Sequence, residues 1–326
     1  MYPIWSFKNA PDRARGRLGI PALVAVAWSS LALASALASE PVAYVIRMSE
    51  PCSRSFELQR AALMDQKTSE DEAACRIGYF SALQQGDQII IDDPDDWLEL
   101  LFNDGRTRRL TWGDSPFNVN GAGDWTASFN RLLRSLFELF ASTPGGAIST
   151  HSAVSRGTPG GPFEVPIFDG ASSTMLVAGE RPFTLEWNGG VPPFRVELAR
   201  HGDVALVGEW RDIESQALKR QSVDLKPGGY QITVRDAAGE RRTVDVKVIE
   251  ATAQPHLSRD VLSSYRDVDI AAFVNVAWLV GQDGAWRLES YIRAFELASR
   301  YPPAEILVDR LAEGRPIPLT IQSHSQ

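Results

Sequence analysis

Residues that carry chemistry are scarce in this chain: four histidines and two cysteines among 326 residues. His151, His201, His256 and His324 are far apart, and none stands at metal-ligand spacing from another or from a cysteine. There is no Gly-x-Ser-x-Gly elbow, no P-loop, no dinucleotide fingerprint and no His-Glu-x-x-His. The expectation is therefore a protein that is not an enzyme and takes no cofactor. Positive charge is also short. Residues 1–38 hold four of the 33 bases and one of the 41 acids, so the remainder carries a net charge of −11. That balance excludes binding to a nucleic-acid backbone, which needs a basic surface, and electrostatic docking on anionic lipid. Only one run of residues is apolar enough to consider as a membrane span.

That run is the clearest signal present. Arg13, Arg15 and Arg17 lead an uncharged stretch from Leu18 to Ala38, which closes on Ala36-Leu37-Ala38, the small-x-small pattern of a signal-peptidase site. The reading is a cleaved signal peptide over residues 1–38 and a periplasmic or secreted protein. The alternative is an uncleaved anchor in the inner membrane, since about 20 residues suffice to span a bilayer. Pro21, Ser29, Ser30 and Ser35 weaken that alternative. In an exported chain, Cys52 and Cys75 are expected to form one disulfide, with two buried thiols as the bland alternative.

The remaining length suits two or three domains. From 41 to 120 the pattern is β-rich. Val42 to Ile46 opens a strand, and a polar segment of helical character follows around Phe56 to Asp71. Gly86-Asp87 turns into Gln88 to Ile91, and Trp97 to Phe102 pairs with Thr107 to Trp112 through Asn103-Asp104-Gly105. Asp92, Asp93, Asp95 and Asp96 break the chain between strands. They are read as an acidic surface turn, with a hard-cation site as the sharper alternative. With its Gly86-Asp87, Leu98 to Phe102 and Asp104-Gly105-Arg106, this block resembles the FecR-like periplasmic domain of bacteria, over about 50 residues. The resemblance implies a small β-fold. FecR regulators also carry a cytoplasmic sigma-factor-binding region ahead of their span, and the segment before Leu18 is expected to be too short for one.

Between 127 and 141 the period changes to that of a helix. Phe129, Leu132, Leu133, Leu136, Phe137 and Phe140 share one face. The bland reading packs this amphipathic helix on a β domain; the sharper one makes Phe129, Leu133, Leu136, Phe137 and Phe140 a docking stripe for a partner. Residues 142–162, rich in Gly, Pro, Ser and Thr, read as a flexible linker.

Period two returns from 163 to 250. Phe183 to Trp187 and Phe194 to Leu198 alternate, and Tyr230, Ile232 and Val234 face Val244, Val246 and Val248 across Asp236-Ala237-Ala238-Gly239. The Leu225-x-Pro227-Gly228-x-Tyr230 lead-in is similar to that of bacterial Ig-like modules, which implies a β-sandwich. Residues 257–314 read as helices: Asp267 to Gln282, Trp286 to Tyr301 and Ala304 to Glu313, before a tail at 315–326. One such unit resembles a fragment of a tetratricopeptide array, but stacked repeats need about three units. The expected role is a helical cap on the Ig-like domain, the alternative a partner-binding end.

The fold class is thus mainly β with α: a small FecR-like β domain, an Ig-like β-sandwich and a C-terminal helical segment. The expected function is a non-enzymatic binding or scaffold protein of the bacterial cell envelope, with a protein partner there. The alternatives are a membrane-anchored sensor or regulator of FecR type, a glycan-binding module presenting Trp97, Trp112, Trp125 and Trp210, and a hydrolase of cell-wall polymer. Trp187, inside an alternating strand, is assigned to the core.

Overall fold

The structure, a computed structural model, describes residues 41–50, 53–60, 77–121, 161–169, 173–203, 205–263, 265–282 and 284–315. The leader at 1–38, both cysteines, the helix at 127–141 with its five stripe residues, the linker up to 160 and the tail from 316 lie outside the described residues, as does Trp125. What is described is mainly β with a helical C-terminal segment.

The first region contains two small antiparallel sheets. Strands β1 (Ala43–Met48), β3 (Ala82–Leu83), β5 (Trp97–Phe102) and β6 (Thr107–Thr111) pair in the order β3-β1-β5-β6. Strands β2 (Phe56–Gln59), β4 (Gln88–Ile91) and β7 (Phe117–Asn118) pair in the order β2-β4-β7. The Asp104-Gly105 turn closes the β5–β6 hairpin, with Gly105 at φ 78. A left-handed residue there costs glycine little, since it has no Cβ to clash. Phe56 opens a strand that pairs with Ile91, so the helical reading of Phe56 to Asp71 is wrong for its described part. Phe56, Leu58 and the cross-strand Ile89 and Ile91 make that stretch better suited to a pleated surface than to a helix face.

One irregularity in β1 decides a side chain's fate. Val45 pairs with Leu100 but Arg47 pairs with Glu99, so the register shifts by one residue at Ile46. Strict alternation would place Arg47 on the same face as Val45. The bulge turns it to the opposite face, toward the C-terminal helices.

The second region is a sandwich. Strands β8 (Ser173–Val177), β10 (Phe194–Arg200), β11 (Leu206–Ile213), β13 (Gly228–Arg235) and β14 (Arg241–Ile249) form a sheet in the order β11-β10-β13-β14-β8. Strands β9 (Gly179–Glu186) and β12 (Ala217–Leu225) form the facing pair. Tyr230, Ile232, Val234, Val244, Val246 and Val248 are all buried, as alternation requires. Aromatic rings join the two layers: Phe183 stacks on Trp210 at 5.8 Å, and Trp187 meets Phe194 edge-on at 5.2 Å. Trp187 is 1% exposed and belongs to the core. Two strands, β8 and β12, were not expected from the sequence. β8 runs parallel to β14, and β12 carries a register shift between Leu218 and Gln221.

The helical segment comprises α1 (Arg259–Ser263), α2 (Val268–Val280), α3 (Arg287–Ala298) and α4 (Ala304–Ala312). Asp267 caps α2, accepting from the backbone N–H groups of Asp269 and Ile270. Eight of the 13 residues of α2 are buried, which is the pattern of a helix enclosed on most sides. Its Phe273 stacks on Phe80 of the first region at 5.5 Å and leans on Tyr301 at 5.5 Å. Helix α3 packs on β8 and β9 of the sandwich. The segment is therefore a cap, but one shared by both β regions rather than docked on the sandwich alone.

Candidate functional site

Three charged constellations stand out, two of them joints within the molecule. At the first, Arg47 donates to Asp267 at 2.6 Å, to Asp269 at 2.9 Å and to Glu99 at 3.4 Å, and Arg300 donates to Asp269 at 2.8 Å. Burial opposes the Arg47 charge, but Asp267 and Glu99 outweigh it and hold the guanidinium above its ordinary pKa. Arg47 also lies over the ring of the fully buried Tyr301, 5.3 Å from its centroid. At the second joint, Glu289 is 0% exposed. Its carboxylate accepts from Arg181 at 2.5 Å, from Arg293 at 2.6 Å and from the Val177 backbone N–H at 3.1 Å. Burying a carboxylate is tolerable only when it is so surrounded.

The third constellation faces solvent. A cleft of about 300 Å³ lies between the β6 and β7 edges, lined by Phe102, Arg106, Thr107, Arg108, Phe117, Asn118 and Asn120. Arg106, Arg108 and Leu110 follow one another at period two. Leu110 is buried, whereas the two arginines are exposed at the rim of the same row. On the other wall Val119 is buried and Phe117 half-buried, while Asn118 and Asn120 stay exposed. The Arg108 guanidinium covers the Phe117 ring at 4.6 Å. Each arginine gives one nitrogen to a carboxylate, Arg106 to Asp104 at 2.5 Å and Arg108 to Asp114 at 3.3 Å. Hydrogen bonds from Thr111 and Arg108, led by the Thr111 backbone N–H, hold the Asp114 carboxyl below the usual range. The cleft offers hydrogen-bond donors and acceptors, and its one hydroxyl, on Thr107, has no histidine among the lining residues.

The residues marked out in the sequence are dispersed. The acidic turn is used internally: Asp96 accepts from Ser49 at 2.5 Å, from Ser53 at 3.2 Å and from Ser55, and Asp93 accepts from the Asp95 N–H at 2.9 Å. Among the described residues no cluster of His, Cys, Asp and Glu could hold a metal ion. Trp97 lies beneath the Arg109 guanidinium at 3.8 Å, Trp210 is in the sandwich, and Trp112 alone of the described tryptophans is largely exposed, at 56%. His201 faces Asp245 at 3.5 Å. Arg106 entered the sequence reading only as part of a turn motif, and Arg108, Asn118 and Asn120 were missed. Their signal was the pair of alternating runs, Arg106 to Leu110 and Phe117 to Asn120, which is visible only once the two edges are known to meet.

No family model matches this chain. No curated protein matches it either. Among solved structures it is similar to the crystal structure of CopC from Methylosinus trichosporium OB3b, at 17% identity, over 27% of this chain and 91% of that one. The TM-score is 0.19, and a likeness at that level carries no argument about fold or ligand. Among the described residues, no helix is long and apolar enough to cross a membrane.

Proposed function

We propose that this chain is an exported, non-enzymatic binding or scaffold protein of the bacterial cell envelope, with a FecR-like first region and an Ig-like second. The observation that carries the reading is the double engagement of the C-terminal helices. They contact the first region through Phe80–Phe273 and Arg47, and the sandwich through Glu289. Two β regions fixed to a common support hold their surfaces in constant relation, which lowers the ordering cost of engaging a partner. The Arg-lead, apolar run and Ala36-Leu37-Ala38 supply the address.

The test is to express the chain in a Gram-negative host, separate periplasm from membranes, and determine the N-terminus by mass spectrometry. A periplasmic protein beginning at Ser39 is the expected result. Intact Met1 in the inner-membrane fraction would instead favour the anchored sensor, with residues 18–38 as its span. Cross-linking in the envelope should then give a discrete adduct that Leu133→Asp and Phe137→Asp remove if the stripe at 127–141 is the docking surface.

A further inference from the structure

We infer that the cleft between β6 and β7 binds a sugar residue bearing one carboxylate, an acidic unit of an envelope glycan. The inference rests on the binding-protein reading above and names a ligand for it. In a protein of strongly negative net charge, Arg106, Arg108 and Arg109 fall within four consecutive residues at the start of β6. Two of the three open into the cleft. A guanidinium pairs with a carboxylate through two parallel N–H donors, a geometry that lysine does not offer. Asp104 and Asp114 each take one nitrogen of an arginine that lines the cleft, which leaves each guanidinium with further donors. They also set the charge of the ligand. A dianion or polyanion entering here meets two aspartates and the field of the whole chain, so a single carboxylate is favoured.

The opposite wall determines the rest of the ligand. Asn118 ends β7 and Asn120 lies two residues further along the same edge, and each carboxamide both donates and accepts. Gln88 donates to the side-chain Oδ1 of Asn118 at 3.1 Å, which leaves the Asn118 amide N–H groups as donors. Vicinal hydroxyls, which also donate and accept, match such a pair, whereas a phosphodiester or fully ionised phosphate ester has no donors for the carboxamide oxygens. About 300 Å³ is at the lower limit of small-molecule sites and matches one ring. The Phe117 ring is already covered by Arg108, so recognition proceeds through hydrogen bonds rather than ring stacking.

Matched sugars test this on the full chain by isothermal titration calorimetry: glucuronate against glucose, and N-acetylmuramate against N-acetylglucosamine. The acidic member of at least one pair should bind about tenfold or more tightly than its neutral partner. The Arg106→Gln/Arg108→Gln variant should remove that preference while leaving the thermal midpoint in place. Asn118→Ala/Asn120→Ala should weaken acidic and neutral sugars alike. No heat from either acid at millimolar concentration overturns the inference, and so does equal binding of acid and neutral partner. Succinate or tetraglutamate binding as tightly as the acidic sugar also overturns it, because the hydroxyl contacts would then contribute nothing. A periplasmic protein that ignores every sugar overturns this inference alone, while a protein that never reaches the envelope overturns the reading beneath it.

Discussion

The helical segment is fastened to its two β neighbours in different ways. At the sandwich the fastening is one carboxylate, Glu289, wholly buried and enclosed by two guanidiniums and a backbone N–H. At the first region it is a spread network, Arg47 and Arg300 against Glu99, Asp267 and Asp269, in which all members but the exposed Arg300 are half-buried and keep 16–23% of their side chains in contact with water. A closed joint concentrates its energy in one group, because losing that group strands its partners without solvent. An open joint shares it, because water and the neighbouring carboxylates compensate for a single loss.

The comparison predicts a graded series. Glu289→Ala should be the most damaging, costing about 3–5 kcal/mol, since Arg181, 13% exposed, is left uncompensated. Urea unfolding followed by tryptophan fluorescence would measure it, and a loss under 1 kcal/mol would show the joint to be wet. Arg47→Ala should cost about 1.5–3 kcal/mol, the range for hydrogen bonds to charged groups. Asp269→Asn should cost about 0.5–1 kcal/mol, because Asp267 and Glu99 still hold Arg47. The double variant Glu289→Ala/Arg47→Ala should equal the sum of the singles within about 0.5 kcal/mol if the joints are independent. A larger departure would mean that the helices transmit strain between them. Arg106→Gln/Arg108→Gln, which removes no group of either joint, should stay within about 0.5 kcal/mol of the parent.

A smaller effect is expected at the acidic turn. Partial burial raises the Asp96 pKa, but hydrogen bonds from Ser49, Ser55 and Ser53 outweigh it and hold the carboxyl below its ordinary value. A depressed carboxyl contributes stability that is complete above the unfolded pKa, about 3.9, and is lost as pH falls through the folded value. Ser55→Ala should therefore lower stability at neutral pH, and its difference from the parent should shrink as pH falls below about 3.9, because acid removes from the parent the contribution that the variant already lacks. Thermal midpoints recorded between neutral and strongly acidic pH would check this.

Where the sequence was legible, one local rule governed a whole element. The β13–β14 hairpin keeps period two without interruption, and in the β5–β6 hairpin Asp104-Gly105 specifies the turn in two residues. Elsewhere two rules competed. In β12 the register shift near Arg220, which adopts φ 51, breaks the alternation that marks a strand. β8 is five residues long and finds its parallel partner about 70 residues away, so no nearby turn announces it. The bulge at Ile46 inverts the face expected for Arg47, and nothing in the surrounding residues signals it. The cleft was hidden for a related reason: β7 is only two residues long, and its meeting with β6 is a property of the two sheets together.

The bulge at Ile46 has a temporal meaning as well. It turns Arg47 toward a partner, Asp267, that is 220 residues downstream. Strand β1 is made early, yet one of its faces has nothing to close against until helices α2 to α4 have been synthesised. The sandwich is in the same position, with the Val177 N–H and Arg181 awaiting Glu289. Contacts of such long sequence separation form late and slowly. Both β regions therefore lack part of their packing until the last helices arrive, so roughly the final 60 residues of the chain complete structures begun far upstream.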